Sequence, residues 1–288
     1  MENNKLIGLV VAWGAQDWIR PALNQALEFC DEVMVVVSPF GPTLRQYEDD
    51  TYNICKEYKG IKLLDYEPPQ GVCTRHANCY IANHMLEHSS LRVPGNWIWI
   101  LDTDEFYMDS TYKEIKSVID DGGYNWITIE SKFFYINMQH YLDEIGERIF
   151  RIADINEKFI PTIKWTNWGK SKNRYVIRRS NGMFHYSMLT NTNRHCAKWR
   201  ERDQSDRAEW HDRIYIHYDL DNEEYWTNEN LKRYGIKSPW FNIGAISNKE
   251  GKLFKYEGRH PKFIEEAGLH KIKDFREFNK AKIGGKET

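Results

Sequence analysis

Over residues 5 to 101, short apolar runs alternate with stretches whose apolar residues recur at helical spacing. Leu6 to Ala12 is a continuous apolar run and reads as a strand buried on both faces. Trp18 to Phe29 reads as a helix, with Asp17 as N-cap and Pro21 in the first turn. Glu32 to Val37 is a second strand, Thr43 to Tyr58 a helix, Ile61 to Asp65 a third strand, and Cys73 to His88 another helix. Trp97 to Leu101, rich in β-formers and too short for a membrane span, is the fourth strand. Strands alternating with helices of this length predict parallel pairing and right-handed crossovers, hence a doubly wound, Rossmann-like, mostly parallel α/β sheet. Ligands of such sheets bind outside the carboxyl ends of the strands. Those ends are Ala12-Trp13, Ser38-Pro39, Tyr66-Glu67 and Asp102-Thr103-Asp104.

Beyond residue 101 the pattern is less regular. Tyr112 to Ile119 reads as a helix capped by Asp109-Ser110-Thr111 and stopped by Asp121-Gly122-Gly123, and Trp126 to Ser131 as a strand. Tyr175–Arg179 and Met183–Ser187 flank Ser180-Asn181-Gly182, which predicts a hairpin. From Lys164 to Arg179 there are six basic residues and no acid, a composition that suits a phosphate-bearing substrate or a loop closing over it. Asn193 to Tyr234 is polar and carries Trp199, Trp210 and Trp226, and reads as helices building an acceptor surface. The expected organisation is residues 1–135 as the substrate-binding α/β half, 136–265 as an elaborated C-terminal acceptor and lid region, and 266–288 as a basic tail that frays.

The fourth strand ends in acid. Alternation along an extended chain would aim Asp102 and Asp104 to one side and Glu105 to the other. Paired hard oxygen donors suit Mg²⁺ or Mn²⁺, ions that usually bring a phosphorylated substrate. The competing reading is that these acids start the next helix; residues 109–111 already supply that function. Neither GxGxxG nor GxxxxGK[ST] follows the first strand, which argues against dinucleotide cofactors and P-loop hydrolysis.

Composition narrows the partners. Forty Lys+Arg against 42 Asp+Glu leave a formal charge of −2, so no global field favours nucleic acid. Five Cys without CxxC spacing point to reduced thiols and a cytoplasmic setting. The Lys-rich end allows at most peripheral membrane contact. Eleven Trp exceed what a core of this size needs, and flat rings stack on sugars.

Three stretches carry a family resemblance: Leu6–Ala12 through Asp17-Trp18-Ile19, Gly71 to Asn78, and Trp99-Ile100-Leu101-Asp102-Thr103-Asp104-Glu105. Together they make about residues 5 to 135 resemble a family 2-type glycosyltransferase with the GT-A fold. The resemblance implies a metal-dependent transfer from a nucleoside-diphosphate sugar, UDP-linked as first choice, to a hydroxyl of a glycan or other acceptor. It places the metal on Asp102 and Asp104, the nucleotide against Thr103, Arg75 and Asn78, and the base near Ala12, Trp13 and Ser38. It also asks for a His from the C-terminal half to complete the metal shell, for which His185 is the first choice and His217 the second. Two departures stand out: the family commonly has Pro-x-x-Asn after its first strand and Val-Asp after its second, where this chain has Ala12-Trp13-Gly14-Ala15 and Val37-Ser38. Glu130, on the strand after the acidic element, is the candidate base for an inverting transfer, with a structural salt bridge as the other reading. A non-catalytic carbohydrate-binding protein and, behind it, a nucleotidyltransferase are the alternative functions.

Overall fold

A computed structural model of the chain describes residues 4–39, 49–72, 74–134, 137–160, 164–165, 173–187, 189 and 254–275. Four apolar runs form strands β1 (Leu6–Ala12), β2 (Glu32–Val37), β3 (Ile61–Leu64) and β4 (Trp97–Asp102). They pair in parallel in the order β3-β2-β1-β4, with Val10 facing Val35 on one side and Leu101 on the other. Between them run α1 (Ile19–Phe29), α2 (Thr51–Lys56) and α3 (Thr74–Glu87). The predicted mixed α/β architecture around a large, partly parallel sheet is therefore observed. Of the helix expected over 43–58, residues 43–48 lie outside the described residues. The N-cap of α1 is Trp18 rather than Asp17 and makes no side-chain cap bond.

After β4 come the two-residue strand β5 (Glu105–Phe106), helix α4 (Asp109–Asp121), β6 (Trp126–Phe134) and β7 (His140–Arg151). The residues expected to precede α4 as caps instead form its first turn, and its N-cap is Met108. β7 inserts antiparallel between β4 and β6, so the sheet runs across the boundary expected at residue 135. A short separate ladder joins β8 (Phe159–Ile160) to β9 (Lys164–Trp165).

The expected hairpin around Ser180-Asn181-Gly182 is absent. β10 (Arg174–Ile177) and β11 (Met183–His185) both run parallel to β6, one beside Trp126–Ile129 and the next beside Ser131–Phe133, with a 3₁₀ turn at Arg179–Asn181 as the step between them. A two-residue hairpin loop needs positive φ, whereas Gly182 has φ −87° and ψ −173°. Its glycine serves close approach instead, since a Cβ there would stand 2.0 Å from the Glu130 carbonyl oxygen. Asn181 is committed to α4: its amide donates to Glu114 Oε2 at 2.6 Å and its carbonyl accepts from Ser110 and Thr111.

The sheet has a core on each side. On one face Leu23 and Phe29 of α1 and Ile115 of α4 meet Val10, Val35 and Trp99; on the other Ile81 and Met85 of α3 meet Leu9, Met34, Ile98 and Phe150. Each large aliphatic side chain so buried contributes about 2 kcal/mol. Trp18, Trp97, Trp99 and Trp126 are buried in these cores rather than facing ligand, and Trp199, Trp210 and Trp226 lie outside the described residues. The chain near its end returns to the same body. β12 (Phe254–Lys255) pairs with β7, Phe263 of α5 (Lys262–Glu266) meets Phe29 edge to face, and Phe275 stacks on Trp18 with centroids 5.8 Å apart. Residues 266–275, expected at the start of a fraying tail, thus bury Leu269 and Phe275.

Candidate functional site

The strand order fixes where a site can form. β1 is followed by β2 on one side and flanked by β4 on the other, so the direction of winding reverses between β1 and β4, and crevices in open α/β sheets lie at that point outside the carboxyl ends. Val11 pairs with Asp102 across it, and Ala12 with Val37. Gly14, with φ +57°, turns the chain sharply after β1, and the Ala15 amide donates to Thr51 Oγ1 at 2.8 Å. Ala12, Ser38, Asp102 and Thr103 thereby share one rim, with Trp13 half-buried beside them. Ser38 donates its amide to the Ala12 carbonyl at 3.0 Å, while its buried hydroxyl makes no hydrogen bond among the described residues. Asn78 lies on α3 with its side-chain carbonyl buried and likewise without a hydrogen bond among the described residues. Arg75 occupies the first turn of α3, and its side chain lies outside the described residues.

At the acidic element the strand does not continue. Thr103 and Asp104 form a turn between β4 and β5, so the simple alternation expected from Asp102 to Glu105 breaks. Gln25, buried on α1, fixes the far side of that turn: its amide donates to the Glu105 carbonyl at 3.0 Å and accepts from the Tyr107 amide at 2.8 Å. Glu105, expected to point away from Asp102, is joined to it through Arg148. The guanidinium donates from Nε to both Glu105 carboxylate oxygens, at 2.7 and 3.0 Å, and from Nη2 to Oε1, and stands 3.5 Å from Asp102 Oδ2. The Glu105 side chain is wholly buried and that of Asp102 is 46% exposed, so Arg148 ties a buried carboxylate to a half-exposed one. Burial lifts the Glu105 carboxyl to about 7 against the pull of Arg148, and the nearby Asp102 charge adds to the lift.

The same turn meets the C-terminal half. β5 pairs with β11 antiparallel, placing His185 opposite Glu105, and the Tyr186 amide donates to the Asp104 carbonyl at 2.7 Å. His185 Nε2 comes to 3.7 Å from Asp104 Oδ1 and 3.9 Å from Glu105 Oε1. Alternation along β11 turns His185 away from Phe184. In the fold, Phe184 and Tyr186 join an aromatic cluster with Phe134, while the His185 ring meets Phe133 edge to face at 4.8 Å. His217 lies outside the described residues.

Glu130 is not brought into this group. Phe133 pairs with His185 on one face of β6, and Lys132 pairs with Phe184 on the other, its Nζ 4.8 Å from the ring centroid. Glu130, two residues before Lys132, shares the latter face. Its carboxylate accepts from Arg178 Nη1 at 2.9 Å and from the Arg179 amide at 3.0 Å. Burial opposes its charge, but the Arg179 amide and the Arg178 guanidinium hold the carboxyl below its ordinary range. A proton acceptor for neutral pH is better placed higher.

Sequence reasoning missed Arg148 and Gln25. Pairing between β6 and β7 steps from Ile127–Ile149 to Thr128–Glu147, which leaves Arg148 as the extra residue of a β-bulge. Bulges re-aim side chains and gather next to sites, yet nothing in the one-dimensional pattern marks this one. The donor set of the rim is two carboxylates and one imidazole, the chemistry of a hard divalent cation that tolerates nitrogen. Among the described residues, no three His, Cys, Asp or Glu side chains are gathered so as to hold a metal ion by themselves. Asp104 Oδ1 and His185 Nε2 stand 3.7 Å apart, and Asp102 Oδ2 lies 3.5 Å from Arg148 Nη2. Comparison with known protein families and with curated proteins returns no match for this chain. Among the described residues, no helix is long and apolar enough to cross a membrane.

Proposed function

We propose that this chain is a metal-dependent glycosyltransferase of GT-A type, moving a sugar from a nucleoside-diphosphate sugar to a hydroxyl of a glycan or other acceptor. One observation carries the reading: a half-exposed Asp102 ends β4 at the point where the winding reverses, followed within a turn by Asp104 standing 3.7 Å from His185. Asp102, Asp104 and His185 would hold Mn²⁺ or Mg²⁺, which supplies the positive charge that a departing diphosphate needs. The protein's own contribution is orientation. Gln25 pins the turn, Arg148 and Glu105 fix the approach of Asp102, and the β5–β11 ladder carries His185 to the same edge. Ser38, whose buried hydroxyl makes no hydrogen bond among the described residues, offers a polar group on the nucleotide side of the rim. Glu130 is left out of the reaction and given a structural role.

The test is a thermal-shift screen of UDP-, GDP- and dTDP-sugars with and without Mn²⁺, followed by assay of sugar-nucleotide hydrolysis without acceptor. A ligand at a hundred times its dissociation constant stabilises by about 2.7 kcal/mol, enough to raise the melting temperature by degrees. The expected result is a Mn²⁺-dependent rise for one nucleotide class and slow hydrolysis, both lost in Asp104→Asn with the fold intact. Response to none of these nucleotides overturns the reading; a metal-independent rise without hydrolysis favours a binding protein.

A further inference from the structure

Arg148 has no lone pair and cannot ligate a cation. It is nevertheless the residue that joins the parts of the rim. Its planar fork places two nitrogens on the wholly buried Glu105 and the outer nitrogen 3.5 Å from Asp102, a three-way contact that a lysine ammonium cannot reproduce. Glu105 in turn faces His185 across the β5–β11 ladder. The bulge that frees Arg148 from regular pairing is what lets it reach across from β7 to the ends of β4 and β5.

We propose that Arg148 is the positioning residue for divalent-cation binding at Asp102 and Asp104, an inference that rests on the metal-dependent reading above. Two effects of opposite sign meet here. A bare positive charge beside Asp102 would weaken cation binding, so its removal would tighten it. Loss of the group that orients a ligand carboxylate weakens binding, typically by about 10–100-fold for partners behind metal ligands. Because the Glu105 carboxylate lies against the guanidinium and cancels most of its field on the cation, orientation is the larger effect, and removing Arg148 weakens binding.

The experiment titrates Mn²⁺ in the presence of UDP and follows free Mn²⁺ by electron paramagnetic resonance, alongside circular dichroism and melting temperature. Arg148→Met alone strands a buried carboxylate and can fail to fold, so the decisive variants are Arg148→Lys and the double variant Glu105→Gln/Arg148→Met, which removes both charges together. Both are expected to remain folded and to bind Mn²⁺ about tenfold more weakly or worse. Unchanged or tighter Mn²⁺ binding in the folded double variant overturns the proposal. If Asp104→Asn abolishes Mn²⁺ binding while the double variant retains it, the metal site stands and only the role of Arg148 falls. Wild-type protein that binds no Mn²⁺ with UDP, GDP or dTDP overturns both.

Discussion

Two glutamate–arginine pairs sit on the same sheet and differ in almost everything but their chemistry. Glu105–Arg148 has side chains 0% and 19% exposed and lies behind the acidic turn; Glu130–Arg178 has 20% and 75% and lies on the other face of β6. In the first, the charges are desolvated and each depends on the other; in the second, water shares the work. Glu130 also has the Arg179 amide, so its position is set by backbone as much as by its ion pair. The sequence shows a Glu near a site in both cases. Burial decides that one supports a candidate metal rim and the other holds a corner.

The largest effect should come from breaking the buried pair. Arg148→Ala is expected to cost about 3–5 kcal/mol at alkaline pH, where it leaves the Glu105 charge buried without a partner, and less where that carboxyl takes up a proton. Removing both charges in Glu105→Gln/Arg148→Met should recover most of that loss, since a buried pair replaced by packed neutral groups is often no less stable. Chemical denaturation of the three proteins measures this directly. A double variant as unstable as Arg148→Ala would mean that shape rather than charge holds this corner.

A third pair falls between the two and sharpens the comparison through pH. Glu32, at the amino end of β2 and away from the rim, accepts from Lys62 on β3 and from Ser89 and Ser90 after α3, with side chains 8% and 44% exposed for Glu32 and Lys62. Burial opposes its charge, but these donors pull the carboxyl down to about 2. A depressed carboxylate contributes stability that is present above its unfolded value of about 4.5 and is lost as pH falls through the folded value. Glu32→Gln should therefore destabilise by about 1–2 kcal/mol near neutral pH, discounted for the half-exposed lysine, and the gap should close between about pH 4.5 and 2. A gap that stays constant down to pH 2 would show that Glu32 acts through packing.

Legibility followed the same division between buried and exposed. Leu6–Ala12, Glu32–Val37 and Trp97–Leu101 were readable because strands buried on both faces are continuous apolar runs. β7 was not, because Asp143, Glu147 and Arg148 interrupt any such run, and among its described side chains the deeply buried ones are Ile149 and Phe150 at its end. Asn181-Gly182 misled because the dipeptide that makes a hairpin also fits a place where an amide must reach α4 and a backbone must pass Glu130 closely. Asp102 and Asp104 stand out in the sequence by their place at a strand end and His185 only through the family resemblance; the fold brings His185 to 3.7 Å from Asp104. Arg148 does not stand out, since a bulge is a property of the pairing between two strands and not of either one.

The smallest expected effect tests the exposed pair. Glu130→Gln keeps an acceptor for the Arg179 amide and gives up only the ion pair with Arg178, whose side chain is three-quarters exposed. Exposed pairs contribute about 0–1 kcal/mol, so the melting curve should barely move. Catalysis is the sharper readout. A lost general base lowers the rate by about 10²–10⁴-fold, whereas a residue on the far face of β6 from His185 should leave kcat within a factor of about two. Measuring kcat and KM of this variant with whichever sugar nucleotide the screen identifies separates the two. A hundredfold fall in kcat with KM unchanged would place Glu130 at the reacting hydroxyl and require the C-terminal half to carry the acceptor round to that face.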